Sequence, residues 1–157
     1  VDRGYNKLLA NARKASASIV VGVRGKEAEA THKGEAADLT VGEVANFNEL
    51  GLGVPERSWL RAWVDENQAM INDDLRAVMR QALKGKMTTQ KGVEVLGVKY
   101  VGLIQQRIAA GIAPANAPST IAKKGSSTPL IDSGQFRSAI TYILENALKA
   151  AGQAVTL

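Results

Sequence analysis

The sequence predicts an α+β fold, and three observations carry that prediction. Residues 59–83 and 89–110 repeat apolar side chains at the three- and four-residue spacing of amphipathic helices. The run Ile19-Val20-Val21-Gly22-Val23 is rich in β-branched residues and of strand length. With no cysteine in 157 residues, a hydrophobic core and not a disulfide framework must hold the chain. A hydrophobic content of 45% is ample for that core, and the length fits a single domain over 1–157.

In chain order, residues 3–14 read as a short helix with Leu8, Leu9 and Ala12 on one side, and Ser16 to Arg24 as a strand. Gly25 to Ala37 is polar, small and charged, so 25–37 is expected to be an exposed, projecting loop or arm. A second strand falls near Asp38–Val41 or is absent. Thr40-Val41-Gly42-Glu43 has capping-box spacing: the Thr40 hydroxyl can accept from the Glu43 amide while Glu43 reaches back. A helix over 41–50 follows, with Gly51 as its stop. Residues 52–57 turn around Pro55.

The helix expected over 59–83 is assigned as the main core element. Its predicted buried residues are Trp59, Leu60, Val64, Ile71, Leu75 and Val78, with Ser58 as N-cap and Gly85 past the end. Trp59 and Trp63, four apart, read as core anchors. Thr89 to Ala110 reads as a second helix, with Val93, Leu96, Tyr100, Ile104 and Ile108 on one face and Gly111 as its stop. Gly92, Gly97 and Gly102 each cost up to ~1 kcal/mol relative to Ala within a helix, which points to close approach by another backbone. Val95 to Val101 also reads as a strand. Residues 112–131 read as an extended loop, whose middle has room for one helical turn with Pro118 near its start and Gly125 past its end. Asp132-Ser133-Gly134-Gln135 repeats the capping-box spacing, with Asp132 as cap. Beyond it, Phe136, Ile140, Ile143, Leu144, Ala147 and Leu148 fit a helix, while Ile140, Tyr142 and Leu144 fit a strand. Periodicity does not decide between them.

Chemistry is sparse. The lack of cysteine excludes thiolate metal sites and thiol catalysis, and a single histidine, His32, excludes any multi-histidine site. His32 sits among Ala30, Thr31, Lys33 and Gly34 and reads as an exposed loop residue, not a triad member. Ser133 precedes Gly134 but lacks a G-x-S-x-G frame. Asp65–Glu66 and Asp73–Asp74 are adjacent pairs that diverge by about 100° on a helix, so they read as a solvated face. Gly51-Leu52-Gly53 lacks the third glycine of a dinucleotide loop, and no phosphate-loop motif occurs. No apolar run approaches the ~18 residues of a membrane helix, and no signal-peptide pattern opens the sequence. Seven aromatic residues are few for a single-strand stacking surface. The expectation is a non-enzyme with no cofactor, no metal and no membrane partner.

The formal net charge is +5, and the excess is local: Lys84 to Lys124 holds seven basic residues against Glu94 alone. Such a segment attracts nucleic acid or an acidic partner, or else is a solvated face. A basic duplex-DNA-binding protein is therefore one reading of the chain.

Two blocks carry a more specific signal. The stretch from Pro118 to Tyr142, PSTIAKKGSSTPLIDSGQFRSAITY, resembles the C-terminal part of phage head–tail joining and tail-completion proteins of long-tailed phages. Asn48-Glu49-Leu50-Gly51, followed by Pro55-Glu56-Arg57-Ser58-Trp59-Leu60-Arg61, resembles another region of the same proteins, in the same order and at similar spacing. Leu50 stands for an aromatic, Trp59 for Phe and Phe136 for Leu, all conserving apolar bulk. The resemblance implies a strand at 140–145. It implies a small antiparallel sheet packed against two long helices, with extended loops or arms used in oligomer contacts. It further implies a structural virion protein of the neck or tail end, assembled in the host cytoplasm. Such a protein forms a homo-oligomeric ring of six or twelve subunits against neighbouring neck, portal-adaptor or tail proteins, with DNA passing through the lumen. Lys123, Lys124, Arg137, Arg57 and Arg61 are the expected subunit or partner contacts.

Overall fold

The computed structural model describes residues 4–33, 38–124, 127–131 and 133–145. Among them the chain is α+β. In order run α1 (Tyr5–Lys14), β1 (Ser18–Val23), α2 (Lys26–Glu29), α3 (Val41–Leu50), α4 (Arg61–Glu66), α5 (Gln68–Leu83), α6 (Thr89–Ala110), α7 (Pro118–Lys124), α8 (Gln135–Ser138) and β2 (Ile140–Glu145). The strands β1 and β2 pair in a two-stranded antiparallel sheet. Ser18 at the start of β1 donates its hydroxyl to the Glu145 carbonyl at the end of β2. The described residues gather into two compact units, one drawn from the segments 4–20, 67–99 and 142–145, the other from 21–66 and 100–141.

In the first unit, α1 packs on α5, and Asn11 Nδ2 donates to the Leu83 carbonyl at 3.0 Å. Val78 and Ala82 of α5 are buried, as are Val93 and Leu96 of α6. The α6 glycines explain how close this packing is. A Cβ on Gly92 would collide with the Val78 side chain, and one on Gly97 would lie 2.5 Å from the Tyr142 ring. Both neighbours are side chains, not the backbone the sequence suggested, and Gly102 has nothing within 4 Å.

The second unit is built around Tyr100, Ile104 and Ile108 of α6, with Ile104 and Ile108 fully buried. Trp63 tilts onto Tyr100 with ring centroids 5.5 Å apart. Trp59 meets the Phe136 ring edge-on at 5.2 Å, and its indole N–H donates to the Ala45 carbonyl. The sequence pattern of α6 is met in full, since Val93, Leu96, Tyr100, Ile104 and Ile108 are all buried. The capping box of α3 also forms. Glu43 N donates to Thr40 Oγ1 at 3.2 Å, and Thr40 N donates to Glu43 Oε2 at 2.8 Å. These bonds hold the Glu43 carboxyl below its ordinary value, the Thr40 amide contributing most. Gly51 closes α3 with φ 69°, a left-handed conformation that favours glycine.

Four expectations are corrected. The single helix over 59–83 is two helices, because Asn67 (φ −113°, ψ 14°) leaves helical geometry between α4 and α5. Val64 and Leu75 are 39% and 44% exposed and Leu60 and Ile71 only half-buried, so the apolar spacing of 59–83 does not mark one continuous buried face. Trp59 and Val78 are buried as expected, but α6 is the main core element. The 25–37 segment does not project as a whole. Over its described part α2 packs on α3, Gly42 lies against Ala28, and Thr31 forms an antiparallel bridge with Thr40. His32 is accordingly buried, its amide bonded to the Leu39 carbonyl. By contrast, the helical turn for which the sequence leaves room within 112–131 is present as α7, which starts at Pro118, whose fixed φ suits a first helical turn.

Candidate functional site

The second unit contains an open cleft of about 450 Å³. Its lining includes the polar His32, Arg57, Asn116 and Thr120 and the apolar Val44, Val54 and Phe136. Leu130, also lining it, is a non-glycine residue at φ 63°, a conformation costing on the order of 1–3 kcal/mol.

Arg57 organises this cleft. It was expected to be a partner contact, yet it is 8% exposed. Its Nε donates to the Pro114 carbonyl at 2.9 Å, and Nη2 reaches the Ala115 carbonyl at 3.4 Å and Asn116 Oδ1 at 3.5 Å. Its backbone N–H donates to the Asn48 carbonyl at 2.7 Å. Arg57 thus ties the end of α3 to residues 114–116, and burial pushes its guanidinium below its ordinary value.

Beside it, Glu49 has a role the sequence did not reveal. Its carboxylate accepts from the backbone N–H groups of Trp59, Leu60 and Arg61 at 2.8, 3.0 and 3.0 Å, and from Ser58 Oγ at 2.7 Å. Ser58 Oγ in turn accepts from the Ala62 amide. Ser58 therefore serves the start of α4, but Glu49, reaching from α3, satisfies most of the amides there. The signal was an acid ten residues upstream, outside any local capping pattern.

The other predicted contacts are dispersed. Arg61 is exposed and pairs with Glu56 at 2.7 Å. Lys123 is exposed on α7, while Arg137 on α8 is half-buried, its carbonyl accepting from Gln105 Nε2. Asp132 and the Lys124 side chain lie outside the described residues. Among the described residues α8 follows Gly134 (φ 77°) with no side-chain cap.

The basic segment is partly neutralised by acids, two of them distant in sequence. Lys91 pairs with Glu94 at 2.9 Å and Lys99 with Asp74 at 2.6 Å, while Arg107 grips both oxygens of Glu66. Hydrogen bonding to Arg107 lowers the Glu66 carboxyl, and bonding to Glu94 raises the Lys91 ammonium. Local charge counting overlooks Asp74 and Glu66, so the field available to a polyanion is weaker than the sequence implies. Among the described residues no cluster of acids and histidine is placed to hold a metal ion, and no helix is long and apolar enough to cross a membrane. Compared with known proteins, the chain matches no family model, no curated protein and no solved structure.

Proposed function

We propose that the protein is a structural component of a phage neck or tail end. In this reading it forms a homo-oligomeric ring that joins the DNA-filled head to the tail and lets DNA pass. The observation that carries the reading is the pair of sequence blocks, ordered and spaced alike, at 48–61 and 118–142. Their packing is consistent with a shared origin. Arg57 of the first block binds the residues just before the second, and Trp59 of the first stacks edge-on with Phe136 of the second.

Exposed apolar side chains add support. Leu75, Val95 and Val98 are 44%, 53% and 61% exposed, and a ring subunit has neighbours to cover such surface. Basic residues not neutralised within the chain would meet lumen DNA through phosphates, weakly and without sequence preference.

The test is assembly. Purified protein should form closed rings of six or twelve subunits by electron microscopy and light scattering, and should restore head–tail joining to phage lysates lacking it. Lys123→Glu with Lys124→Glu should abolish joining while leaving the subunit's melting temperature nearly unchanged. Joining at normal yield by that double variant removes the docking role of α7. A strictly monomeric protein that restores nothing removes the neck reading altogether.

A further inference from the structure

The cleft of the second unit holds a buried cation without a counter-charge. Arg61, Arg76 and Arg107 each pair with a carboxylate. Among the described residues Arg57 pairs with none and touches only neutral oxygens. An ionised group withdrawn from water without an opposite charge is costly. Its donors are also used unevenly. Nε is committed to Pro114, Nη2 makes only long contacts near the outer limit of a hydrogen bond, and Nη1 has no acceptor among the described residues. The Nη1–Nη2 edge is the underused side of a guanidinium that lines the cleft.

We propose that this cleft binds a carboxylate carried on a short apolar body, held by the Nη1–Nη2 edge of Arg57. Two parallel N–H donors match the two oxygens of a carboxylate, and the incoming charge offsets the buried cation. Val44, Val54 and Phe136 supply apolar lining for the body of such a ligand, and Thr120 lines the same cleft. A volume of about 450 Å³ suits a small acid or one acidic side chain with its flanking residues. The inference stands independently of the virion reading, since it rests only on the charge and geometry of this unit.

The full chain is titrated, by calorimetry and backbone-amide NMR, with 4-methylpentanoate, its isosteric amide, inorganic phosphate, and an end-blocked Leu-Asp-Leu peptide. The carboxylates should bind at least tenfold more tightly than the neutral amide, with shifts centred on Arg57, Thr120 and Phe136. Tighter binding of the free acid assigns a small-molecule ligand, and tighter binding of the peptide assigns an acidic protein segment. Either outcome supports the site. Equal affinity for acid and amide, phosphate binding as tight as the acid, or no saturable binding by either carboxylate overturns it. Arg57→Gln should abolish binding. Because Arg57 also fastens 114–116, Thr120→Trp is the second variant; it fills the cleft from α7 and should abolish binding while the remaining amide spectrum stays folded. Undiminished affinity in Thr120→Trp with its spectrum intact likewise overturns the proposal.

Discussion

Replacing Glu49 tests how the 48–61 block is held. Its carboxylate accepts four hydrogen bonds at 2.7 to 3.0 Å, three of them from backbone amides at the entry to α4. A hydrogen bond to a charged group contributes about 1.5–3 kcal/mol when its loss strands a buried partner, and less when water replaces it. Glu49 is half-buried and the Arg61 amide is exposed, so only part of the set is stranded. Glu49→Ala should therefore cost about 2–4 kcal/mol, above the ~0.5–2 kcal/mol of an ordinary N-cap loss. Glu49→Gln keeps the shape but turns one acceptor into a donor facing N–H groups, and should cost about half as much. The assay is urea unfolding followed by tryptophan fluorescence, since Trp59 adjoins the cap. The midpoint should fall at constant slope. A loss under about 0.5 kcal/mol for Glu49→Ala would mean that water replaces the carboxylate without penalty, refuting the assignment.

Ile104→Ala in the centre of α6 should cost about 2–5 kcal/mol, while Leu75→Ala on exposed α5 should cost under about 1 kcal/mol; reversed values in denaturant melts would restore the 59–83 helix as the core. Gly92→Ala and Gly97→Ala should each destabilise by about 1–3 kcal/mol through collision with Val78 and Tyr142, whereas Gly102→Ala, in open space, should be neutral or stabilising in thermal melts. The folded Glu43 carboxyl lies below its ordinary value, so its contribution is full above the ordinary carboxylate range and is lost as pH falls through the folded value. The melting-temperature gap between wild type and Glu43→Gln should consequently narrow on acidification; a gap independent of pH would exclude Glu43 as the titrating cap. The Lys91 ammonium is raised by Glu94, so its contribution persists through neutral pH and fades only as pH climbs through that higher value, visible as a Glu94→Gln difference that disappears in strong alkali.

What could be read from sequence was whatever is local. The α6 face, the Thr40–Glu43 box and the Gly51 stop each rest on residues within a turn or two of one another, and each formed. The misreadings share one cause. Asn67 carries no strong break signal, so 59–83 reads as one helix, and apolar spacing alone does not show that Val64 before it and Leu75 after it stay exposed. Arg57 looked like a surface charge because its acceptors, Pro114 to Asn116, lie 57 to 59 residues away. The polar 25–33 stretch looked solvated because nothing in its composition announces that Ala28 fits against Gly42. Asp74 and Glu66 neutralise cations 25 and 41 residues on, which a running charge count cannot show.

The same distinction bears on the two resembling blocks. Glu49, Arg57, Trp59 and Phe136 all face inward: one caps a helix, one ties two segments together, and two form an aromatic pair. Residues that hold a unit together are constrained by that unit whatever it assembles with, so these positions report architecture before they report a partner. The side chains exposed at the surface lie elsewhere: Lys123 on α7, and the apolar Val95 and Val98 on α6. Arg57 belongs to neither group entirely. Its bonds to 114–116 are architectural, but a buried guanidinium with an underused Nη1–Nη2 edge and no counter-ion among the described residues is more than packing requires, since an apolar side chain could fill that space without the desolvation penalty. The cleft it lines is therefore where the architecture and the chemistry of this chain meet.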